Sequence, residues 1–441
     1  MKPPKMQPAD IERTVSIEKP IYGGAFLTRV EGKAVFVPLT LPGEQARIRI
    51  VEDKRGYASA EATEIVAPAA ERVTPLCRHF GACGGCDYQH ANYETQLGIK
   101  QAVLRETLER AQIRAQVHVP HEIAVLSANP WAYRNRIRLA FDAAGNPGYR
   151  GRRSHGIVPI AECPIAAPLL VRAAQTITEV VRHSSPAVQL SELSLFCNAE
   201  ETALLASLHL ARPTKIRFDD LYRDLAPQLP ELKGAELTIE DRAARQPRTL
   251  TRSGDPFLTY RAAGFDYRVD HGAFFQVNRW LVDALVDRVV ANRRGALAWD
   301  LFAGVGLFAR RLASSFASVV AIESAPSATA ALAHNLNRTS ATAINATTLD
   351  FLRRTQRSHA NQSEQPDLIV VDPPRTGLGA ETTSLLAHVA ASALVYVSCD
   401  PATLARDLRA LIASGYAIEK ITLADLFPQT FHLETIVHLR R

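Results

Sequence analysis

The first part of the chain carries short runs of alternating polar and apolar residues. Gly-Gly, Glu-Gly and Pro-Gly pairs punctuate four such runs, at 25–30, 33–37, 45–50 and 58–62. Short runs of this kind, separated by turn residues, predict the strands of a small all-β barrel. Barrels of this size often bind nucleic acid, although a purely structural barrel has the same pattern.

The middle of the chain gives less regular signals. Apolar residues recur at helical spacing between 93 and 113, with charged residues between them, and predict one helix over that range. Helix-like and strand-like pieces then alternate over 165–255, which predicts a second, mixed α/β domain that says little about chemistry. A polar stretch at 241–247 is predicted to be a linker within this domain.

After residue 272, apolar runs of strand length alternate with segments of helix length. The runs lie at 297–302, 319–323, 367–372 and 394–397, with two more near 421 and at 435–437. Strands that alternate with helices predict a parallel sheet covered by helices on both faces, which the last two runs would complete. The expected fold class is therefore α/β for this part of the chain.

A glycine turn follows the first of these strands. Gly304 and Gly306 would let the backbone approach a nucleotide-like ligand, and Glu323 ends the next strand, where an acid can bind both ribose hydroxyls. The same arrangement fits the dinucleotide site of a dehydrogenase. Asp372 favours a different enzyme, because two prolines after it would present a rigid carboxylate to a planar base or an amino-acid group.

Cys399 lies where the predicted strand 394–397 ends, at the edge where open α/β sheets place their chemistry. Asp400 is predicted to be the N-cap of the next helix and Pro401 its first residue, so the positive helix end would favour the thiolate. A small buried cysteine is the alternative. Glu434 enters the last strand, where burial would raise its pKa as a general base requires, unless it is simply exposed.

Six cysteines occur in the chain, and three of them, Cys77, Cys83 and Cys86, lie within ten positions. Three thiols in one glycine-containing loop predict metal ligands rather than packing, and Cys163, which precedes a proline, is the candidate fourth ligand. Tetrahedral zinc uses the same thiolates, so the spacing leaves iron–sulfur and zinc open. Cys197 lacks such a context and is predicted to be buried.

The net charge of +6 suits a polyanionic partner without proving one. Arg134, Arg136 and Arg138 occupy alternate positions of a predicted strand over 131–139 and would form a basic stripe for RNA phosphates, with Tyr133 beside it for stacking. A solvated edge strand is the alternative. We find no segment that resembles a membrane span or a signal peptide, so we expect a cytoplasmic protein.

Together these motifs resemble the family of RNA uracil-5 methyltransferases that use S-adenosylmethionine and carry an iron–sulfur cluster. The resemblance covers essentially the whole chain and includes FFQVN at 274–278 and PQTFHLE at 428–434. It implies an OB-like TRAM barrel, a module that binds RNA, at 1–70 and a central mixed α/β iron–sulfur domain at 71–260. A Rossmann-like class I methyltransferase domain would occupy 261–441, with the helix 93–113 packed on it.

The resemblance also assigns roles. Cys399 would be the nucleophile and Glu434 the general base, and a 4Fe–4S cluster would be held by Cys77, Cys83, Cys86 and Cys163. The pocket for S-adenosylmethionine and the base would be lined by Gln276, Phe302, Gly304, Glu323, Asp350 and Asp372. Leu307 departs from the family pattern, because relatives often have a small polar residue there, and one donor contact is expected to be missing.

Several functions stay open at this stage. We favour methylation of uridine carbon 5 in large-subunit ribosomal RNA by a monomer, and the T-loop of transfer RNA is the alternative substrate. Cytosine-5 methyltransferases of RNA use a related thiol, but they usually carry a cysteine beside the motif at 372–374, where this chain has none. An iron–sulfur RNA-binding factor without catalysis would make Cys399 and Glu434 dispensable.

Overall fold

The computed structural model describes residues 12–113, 122–185, 187–241, 246–358 and 365–441. The chain forms two compact units, described separately below. The first runs to Glu106 and includes Arg150–His155 and Phe427–His432, and the second contains Thr107–Tyr149, Gly156–Leu426 and Leu433–Arg441. Residues 1–11, which begin the first predicted domain, and 242–245, within the predicted linker, lie outside the described residues.

The first unit contains a six-stranded sheet. Its strands are β1 (Arg13–Ser16), β2 (Lys19–Pro20), β3 (Ala25–Val30), β4 (Lys33–Pro38), β5 (Gln45–Asp53) and β6 (Tyr57–Ala67). The order is β1-β5-β6-β4-β3-β2, and neighbours are antiparallel except for the parallel pair β4 and β6. Alternation along β4 and β6 places Val35, Val37 and Ala58 in the core. The four strands predicted here are confirmed.

A buried ion pair supports the end of this sheet. The carboxylate of Glu44 is fully buried and accepts hydrogen bonds from the backbone N–H of Leu41 at 2.7 Å and of Ala69 at 3.2 Å. Arg72 Nη2 donates a further bond at 2.8 Å. Burial pushes the pKa of Glu44 upward, but Arg72 and the backbone donors outweigh it and hold the pKa below its usual value.

The helix α1 (Tyr93–Ile113) confirms the predicted helix at both ends. Asn92 begins it, because its side-chain oxygen accepts a hydrogen bond from the N–H of Thr95 at 2.9 Å. The residues of α1 from Thr107 onward belong to the second unit. There its last turns lie beside the helix 401–413 described below, across a shallow cleft.

The second unit contains a seven-stranded sheet and a hairpin. After β7 (Ile123–Leu126), which joins a different sheet, the seven strands run in the order β10-β9-β8-β11-β12-β13-β14. They are β8 (Arg136–Phe141), β9 (Pro147–Arg150), β10 (Ile157–Pro159), β11 (Leu190–Cys197), β12 (Leu204–Leu210), β13 (Leu232–Asp241) and β14 (Gln246–Gly254). The helices α2 (Pro168–Ser184) and α3 (Phe218–Leu225) share an apolar core with this sheet, and the hairpin is β15 (Phe257–Ala262) and β16 (Phe265–Asp270).

Two predictions for this region are wrong. The predicted linker over 241–247 joins two paired strands, since β13 continues to Asp241 and β14 begins at Gln246, where these two residues are partners in the register. The predicted strand over 131–139 begins only at Arg136, because the backbone turns at Ala132, whose φ is 49°. Polarity suggested a linker at the first place, but backbone pairing decides the structure.

The remaining strands form an eight-stranded sheet in the order β19-β18-β17-β20-β21-β23-β22-β7. Its strands are β17 (Gly295–Leu301), β18 (Phe316–Glu323), β19 (Ala341–Asn345), β20 (Leu368–Val371), β21 (Ala393–Ser398), β22 (Ala417–Ala424) and β23 (Glu434–Arg440). The helices are α4 (Val282–Val290), α5 (Leu307–Leu312), α6 (Pro326–Asn335), α7 (Thr348–Ser358), α8 (Ala380–Val389) and α9 (Pro401–Ala413).

Strands β17 to β21 are parallel, and β23 lies antiparallel between β21 and β22. The predicted parallel sheet is confirmed, but β19 and β7 are not among the predicted runs. β7 pairs with β22 from almost three hundred positions away, Ile123 being the partner of Ile421. The strand order reverses between β17 and β20, and ligands of such sheets bind at that reversal. Within the described residues, no helix is long and apolar enough to cross a membrane.

We expect Arg72→Met to destabilise the six-stranded sheet by about 3–5 kcal/mol, because Glu44 would keep a buried charge without its partner. Hydrogen exchange measured by mass spectrometry should then show faster exchange of the β5 and β6 amides. The control is Arg13→Met, because the ion pair of Arg13 with Glu31 is exposed and should contribute under about 1 kcal/mol. Equal protection in the two variants would contradict the structural role of the buried pair.

Candidate active site

The carboxyl ends of β17, β18, β20 and β21 meet at one edge of the sheet. The antiparallel β23 begins at the same edge, so its first residue, Glu434, joins them. Phe302 and Asp372 directly follow β17 and β20, and Cys399 directly follows β21. Five elements distant in sequence thus place their functional side chains together.

The glycine turn after β17 is shaped by hydrogen bonds to its neighbour. Phe302 adopts a φ of 72°, which is uncommon for a residue other than glycine, and Ala303 donates its N–H to the carbonyl of Ile322 at 2.8 Å. Gly304 donates its N–H to Oε2 of Glu323 at 2.8 Å. The turn is therefore tied to the end of β18, and Glu323 is fixed as one of its supports.

Gly306 ends this turn and starts α5. Its φ is 92°, which strains residues other than glycine, and a Cβ atom there would lie 2.9 Å from Cδ1 of Leu332 and displace that side chain. Leu307, the departure from the family pattern, is buried, and its carbonyl accepts a hydrogen bond from the hydroxyl of Tyr267 at 3.1 Å. The apolar side chain at 307 is thus part of the packing under the turn.

Asp300 is a site residue that the sequence analysis missed. It is fully buried in β17, where its Oδ2 accepts the N–H of Ala309 at 2.8 Å and ties the strand to α5. Burial raises the pKa of Asp300 to about 7, and the charges of Asp372 and Glu323 act in the same direction. An acid within the apolar run 297–302 was the available signal, because a buried acid needs a reason.

Cys399 occupies the predicted junction of strand and helix. Asp400 caps α9, accepting the N–H groups of Ala402 at 3.0 Å and Thr403 at 2.9 Å, and Pro401 is the first helical residue. The expected thiolate is nevertheless wrong for this structure. Burial raises the pKa of Cys399 to about 11, with further contributions from the charges of Glu434 and Asp372.

Glu434 faces Cys399 because of the register between β21 and β23. Ser398 pairs with Thr435 as the last pair of this antiparallel ladder, so the next position of the same register brings Cys399 opposite Glu434. The glutamate is 6% exposed. Burial raises its pKa well above the usual value, and the charge of Asp372 adds to the effect.

Asp372 completes this acidic cluster. It ends β20 beside the strand of Cys399, and burial raises its pKa to about 7. Arg375, three residues later, acts against these shifts, because its positive charge lowers the pKa of both Cys399 and Glu434. The cluster therefore combines a weakly acidic thiol with carboxyl groups that exchange protons near neutral pH.

Gln276 and Asp350 lie away from these strand ends, in the segment after β16 and in α7. The backbone of the segment after β16 is held by Asn135, which donates to the carbonyl of Gln276 at 2.8 Å and to that of Val277 at 3.0 Å. The side chain of Gln276 is buried. Asp350 is exposed in the first turn of α7, where its carboxylate accepts the hydroxyl of Thr347 at 2.8 Å, a capping arrangement that explains it without a ligand.

The predicted metal ligands are divided between the two compact units. Cys77, Cys83 and Cys86 belong to the first unit, where the N–H of Gly85 donates to Sγ of Cys83 at 3.4 Å. Cys163 belongs to the second unit and packs against its apolar core. Over the described ranges, no three His, Cys, Asp or Glu side chains come close enough together to hold a metal ion. The predicted cluster is therefore not found in this structure.

The predicted arginine stripe is corrected by the late start of β8. Arg134 precedes the strand and donates from Nε to the hydroxyl of Tyr133 at 3.3 Å, so only Arg136 and Arg138 lie on the strand itself. Tyr133 is fully buried. The expectation that this tyrosine stacks on RNA bases is wrong, because its ring packs inside the protein.

An open sheet with a glycine turn at its strand reversal, and acids at the ends of neighbouring strands, defines the fold of methyltransferases that use S-adenosylmethionine. The chain belongs to the family described as tRNA (uracil-5-)-methyltransferase, which it matches over residues 158–441. Residues 12–63 match the TRAM domain. The protein is an RNA uracil-C5 methyltransferase dependent on S-adenosylmethionine, and its predicted fold is confirmed.

Relatives cover nearly the whole chain. The 23S rRNA (uracil(1939)-C(5))-methyltransferase RlmD of Halomonas elongata is 31% identical, over 99% of this chain and 92% of its own length. That of Pectobacterium atrosepticum is 33% identical, over 94% and 90%. The structure of Pyrococcus abyssi tRNA (uracil-54, C5)-methyltransferase with S-adenosyl-L-homocysteine has a TM-score of 0.77 and 23% identity, and the match covers 96% of this chain and 100% of that one.

We expect Asp372→Asn to lower the pKa of Cys399 by about one pH unit, because a like charge beside the thiol is removed. The measurement is the rate of alkylation by iodoacetamide between pH 7 and 11, without methyl donor, read by mass spectrometry on the peptide that contains Cys399. The wild-type rate should still rise at pH 10. The control is Asp266→Asn, an exposed aspartate of β16. Identical profiles for the wild type and both variants would contradict the electrostatic account.

Proposed function

We propose that this chain methylates carbon 5 of a uridine in 23S ribosomal RNA through a covalent bond between Cys399 and the base. The observation that carries the proposal is the register of β21 and β23, which sets the thiol of Cys399 opposite the buried carboxyl group of Glu434. A nucleophile and a base on opposite strands, at the ligand edge of the sheet, can act on two neighbouring atoms of one ring.

The reaction divides into addition, transfer and elimination. Cys399 first loses its thiol proton to solvent. The thiolate Sγ then bonds to carbon 6 of the uracil and makes an enolate, whose carbon 5 is the nucleophile. Carbon 5 bonds to the methyl group as the bond from methyl to sulfonium sulfur breaks, which releases S-adenosylhomocysteine. Glu434 then takes the proton from carbon 5, the bond of Sγ to carbon 6 breaks, and the double bond returns.

The raised pKa values fit this sequence of events. A thiol with a pKa of about 11 is mostly protonated at neutral pH, so Cys399 needs positive charge nearby before it can add to the base. Arg375 already lowers its pKa, and the acidic surroundings suit a cationic methyl donor. We infer that donor binding lowers the pKa of Cys399 further, while the raised pKa of Glu434 makes it a stronger base than an ordinary glutamate.

The donor would be bound at the strand reversal. Phe302, Gly304 and Glu323 form the turn against which an adenosyl group can lie, and Asp372 adds a carboxylate beside the reacting sulfur. Gln276 would close the pocket from the segment after β16. Asp350 belongs to this set on the family resemblance alone, since its own hydrogen bonds are those of a helix cap.

The substrate is proposed from the relatives. The domain bounds, the monomeric state and the cytoplasmic location are proposed from the sequence. Several relatives are named as 23S rRNA methyltransferases acting on uracil 1939, and the TRAM match supports RNA binding. We propose the three domains 1–70, 71–260 and 261–441, and a monomer in the cytoplasm, because one chain supplies every RNA-binding part. Of the predicted arginines, Arg136 and Arg138 line the same cavity, which supports the proposal that they contact RNA.

We also propose that Cys77, Cys83, Cys86 and Cys163 bind a 4Fe–4S cluster. The donor chemistry fits, because three thiols lie on one short loop and a backbone N–H already points at the sulfur of Cys83. In the described residues, these side chains do not form a group that could hold a metal ion, so the proposal rests on the sequence. The cluster would hold the loop in place for RNA, and methyl transfer itself takes no electrons from it.

The catalytic pair is tested by labelled methyl transfer to ribosomal and transfer RNA that lack the modification. Cys399→Ala should abolish transfer, because no addition can occur. Glu434→Gln should accumulate an RNA–protein adduct that survives denaturing electrophoresis, because elimination needs proton removal. Cys197→Ala, which removes a thiol buried elsewhere, should retain activity.

Three results would go against parts of this proposal. Full activity of Cys399→Ala would refute the covalent route, and label found only in transfer RNA would refute the ribosomal substrate. Absence of label in both RNA classes, with RNA still bound by the wild type, would instead indicate a binding factor.

The cluster is tested by analysis of protein purified without oxygen. Wild type should contain about four iron and four sulfide per chain, as a 4Fe–4S centre requires. Cys86→Ser should lose most of both, whereas Cys197→Ser should keep them. Stoichiometric zinc without sulfide would contradict the assignment and favour a tetrahedral zinc site.

A further inference from the structure

The seven-stranded sheet has a polar face that neither the fold nor the proposed reaction uses. Its apolar face packs against α2 and α3. On the opposite face, one row of side chains crosses five strands, each paired with the next in the register: Arg138, Ser194, Ser207, Glu236 and Arg252. An antiparallel sheet with one solvated face would be ordinary, but here Glu236 is only 6% exposed.

This face is the floor of a cavity of about 480 Å³. The segment after β16 and the start of α6 supply its other walls, through Asp270, His271 and Ser327. A volume of this size lies within the range of small-ligand sites in proteins. The lining contains buried charged groups, so it differs from an incidental surface groove.

Hydrogen bonds fix the protonation of the buried histidine in this wall. Ser207 donates its single hydroxyl proton to Oε1 of Glu236 at 2.8 Å, so at 3.2 Å its oxygen accepts from Nδ1 of His271. Nδ1 of His271 therefore carries a proton. Burial lowers the pKa of this histidine and favours its neutral form, whose lone pair is on Nε2. That Nε2 atom is buried and has no hydrogen-bond partner in the described part of the chain.

Arg136 gives the cavity an uncompensated positive charge. Its guanidinium lies 4.4 Å from the ring centre of Phe196, and its Nε is buried with no partner among the described residues. The other two arginines of the lining are paired, Arg138 with Glu192 and Arg252 with Glu236. Arg136 is half-buried, and its Nε leaves a buried donor that an anion or another acceptor can satisfy.

We propose that this cavity binds one nucleotide of the substrate RNA other than the methylated uridine. Arg136 meets the phosphate, and Nε2 of His271 accepts a hydrogen bond from an N–H group of the base. The pairing uses the two buried polar atoms of the described cavity lining that have no hydrogen-bond partner, one donor and one acceptor. The proposal deepens the function proposed above and rests on it.

The position of the cavity connects it to the reacting uridine. Asn135, next to Arg136 in the chain, holds the backbone of Gln276, and His271 lies five residues before Gln276. Phe196, under the guanidinium, lies 6.3 Å from Phe275, measured between ring centres. An RNA strand that reaches Gln276 therefore has a neighbouring nucleotide within reach of this cavity.

The test is RNA binding by variants of the full chain in the Cys399→Ala background, measured by fluorescence anisotropy. The probe is a 23S rRNA fragment around the methylated uridine. Arg136→Met should raise the Kd about tenfold, because one hydrogen bond to a charged group is lost, and His271→Phe should raise it severalfold. Arg172→Met is the control, because Arg172 lies on α2 behind the sheet, in an exposed pair with Glu231.

A second series separates base recognition from loss of structure. Abasic nucleotides replace, one at a time, the nucleotides that flank the target. At one position this replacement should weaken binding to the wild type, but it should not further weaken binding to His271→Phe. Wild-type Kd values for both variants, or additive losses at every position, would overturn the proposal. Donor affinity, measured by titration with S-adenosylhomocysteine, should stay unchanged in Arg136→Met, whereas a misfolded variant would lose it.

The outcomes also separate this inference from the proposed function. If RNA binding depends on Arg136 and His271 but the wild type methylates no RNA, the nucleotide site stands and the enzymatic assignment fails. If methylation proceeds and both variants bind RNA as well as the wild type does, only the nucleotide site fails.

Discussion

The pairing of β23 with β21 is the contact on which the active site depends. Antiparallel insertion of β23 next to a parallel strand turns its beginning, rather than its end, towards the ligand edge. Glu434, at the start of β23, therefore faces Cys399, which follows the end of β21. A shift of one residue in this register would turn Glu434 to the other face of the sheet, and the site would lose its base.

The acidic surroundings of the thiol have a protective side. Asp300 and Glu434 are buried and Asp372 is half-buried, and each has a pKa above its usual value because its carboxyl group is shielded from water. The same environment keeps Cys399 protonated. A protonated thiol is a poor target for oxidants and alkylating agents, so these surroundings protect Cys399 from both.

How much of this could be read from the sequence depends on the range of the interaction. The cap at Asp400 and the first helical proline at 401 are local, and both predictions are confirmed. The prediction for the Cys399 thiol missed the rise of its pKa, because that rise comes mainly from burial and then from carboxylates near β20 and β23. The helix end was visible in the sequence, whereas those neighbours required the fold.

Burial limited the other predictions. Tyr133 beside the arginines suggested RNA stacking, but only the structure shows that its ring is inside the protein. Asp300 lies in an apolar run that signalled its burial, but the bond of its carboxylate to the N–H of Ala309 appears only in the fold. The cavity at Arg136 depends on five strands meeting in register, which no local pattern records. Most strands could therefore be predicted from the sequence, whereas the burial of single side chains and the cavity could not.

The pairing of β7 with β22 has a consequence for dissecting the protein. β7 lies at 123–126, far before the residues that form the rest of the catalytic sheet, and it covers the outer side of β22. A fragment cut at residue 261 would expose β22 as an open edge with unpaired backbone groups, which invites aggregation. The part of the chain from residue 261 onward therefore depends on β7, an earlier strand, to complete its sheet.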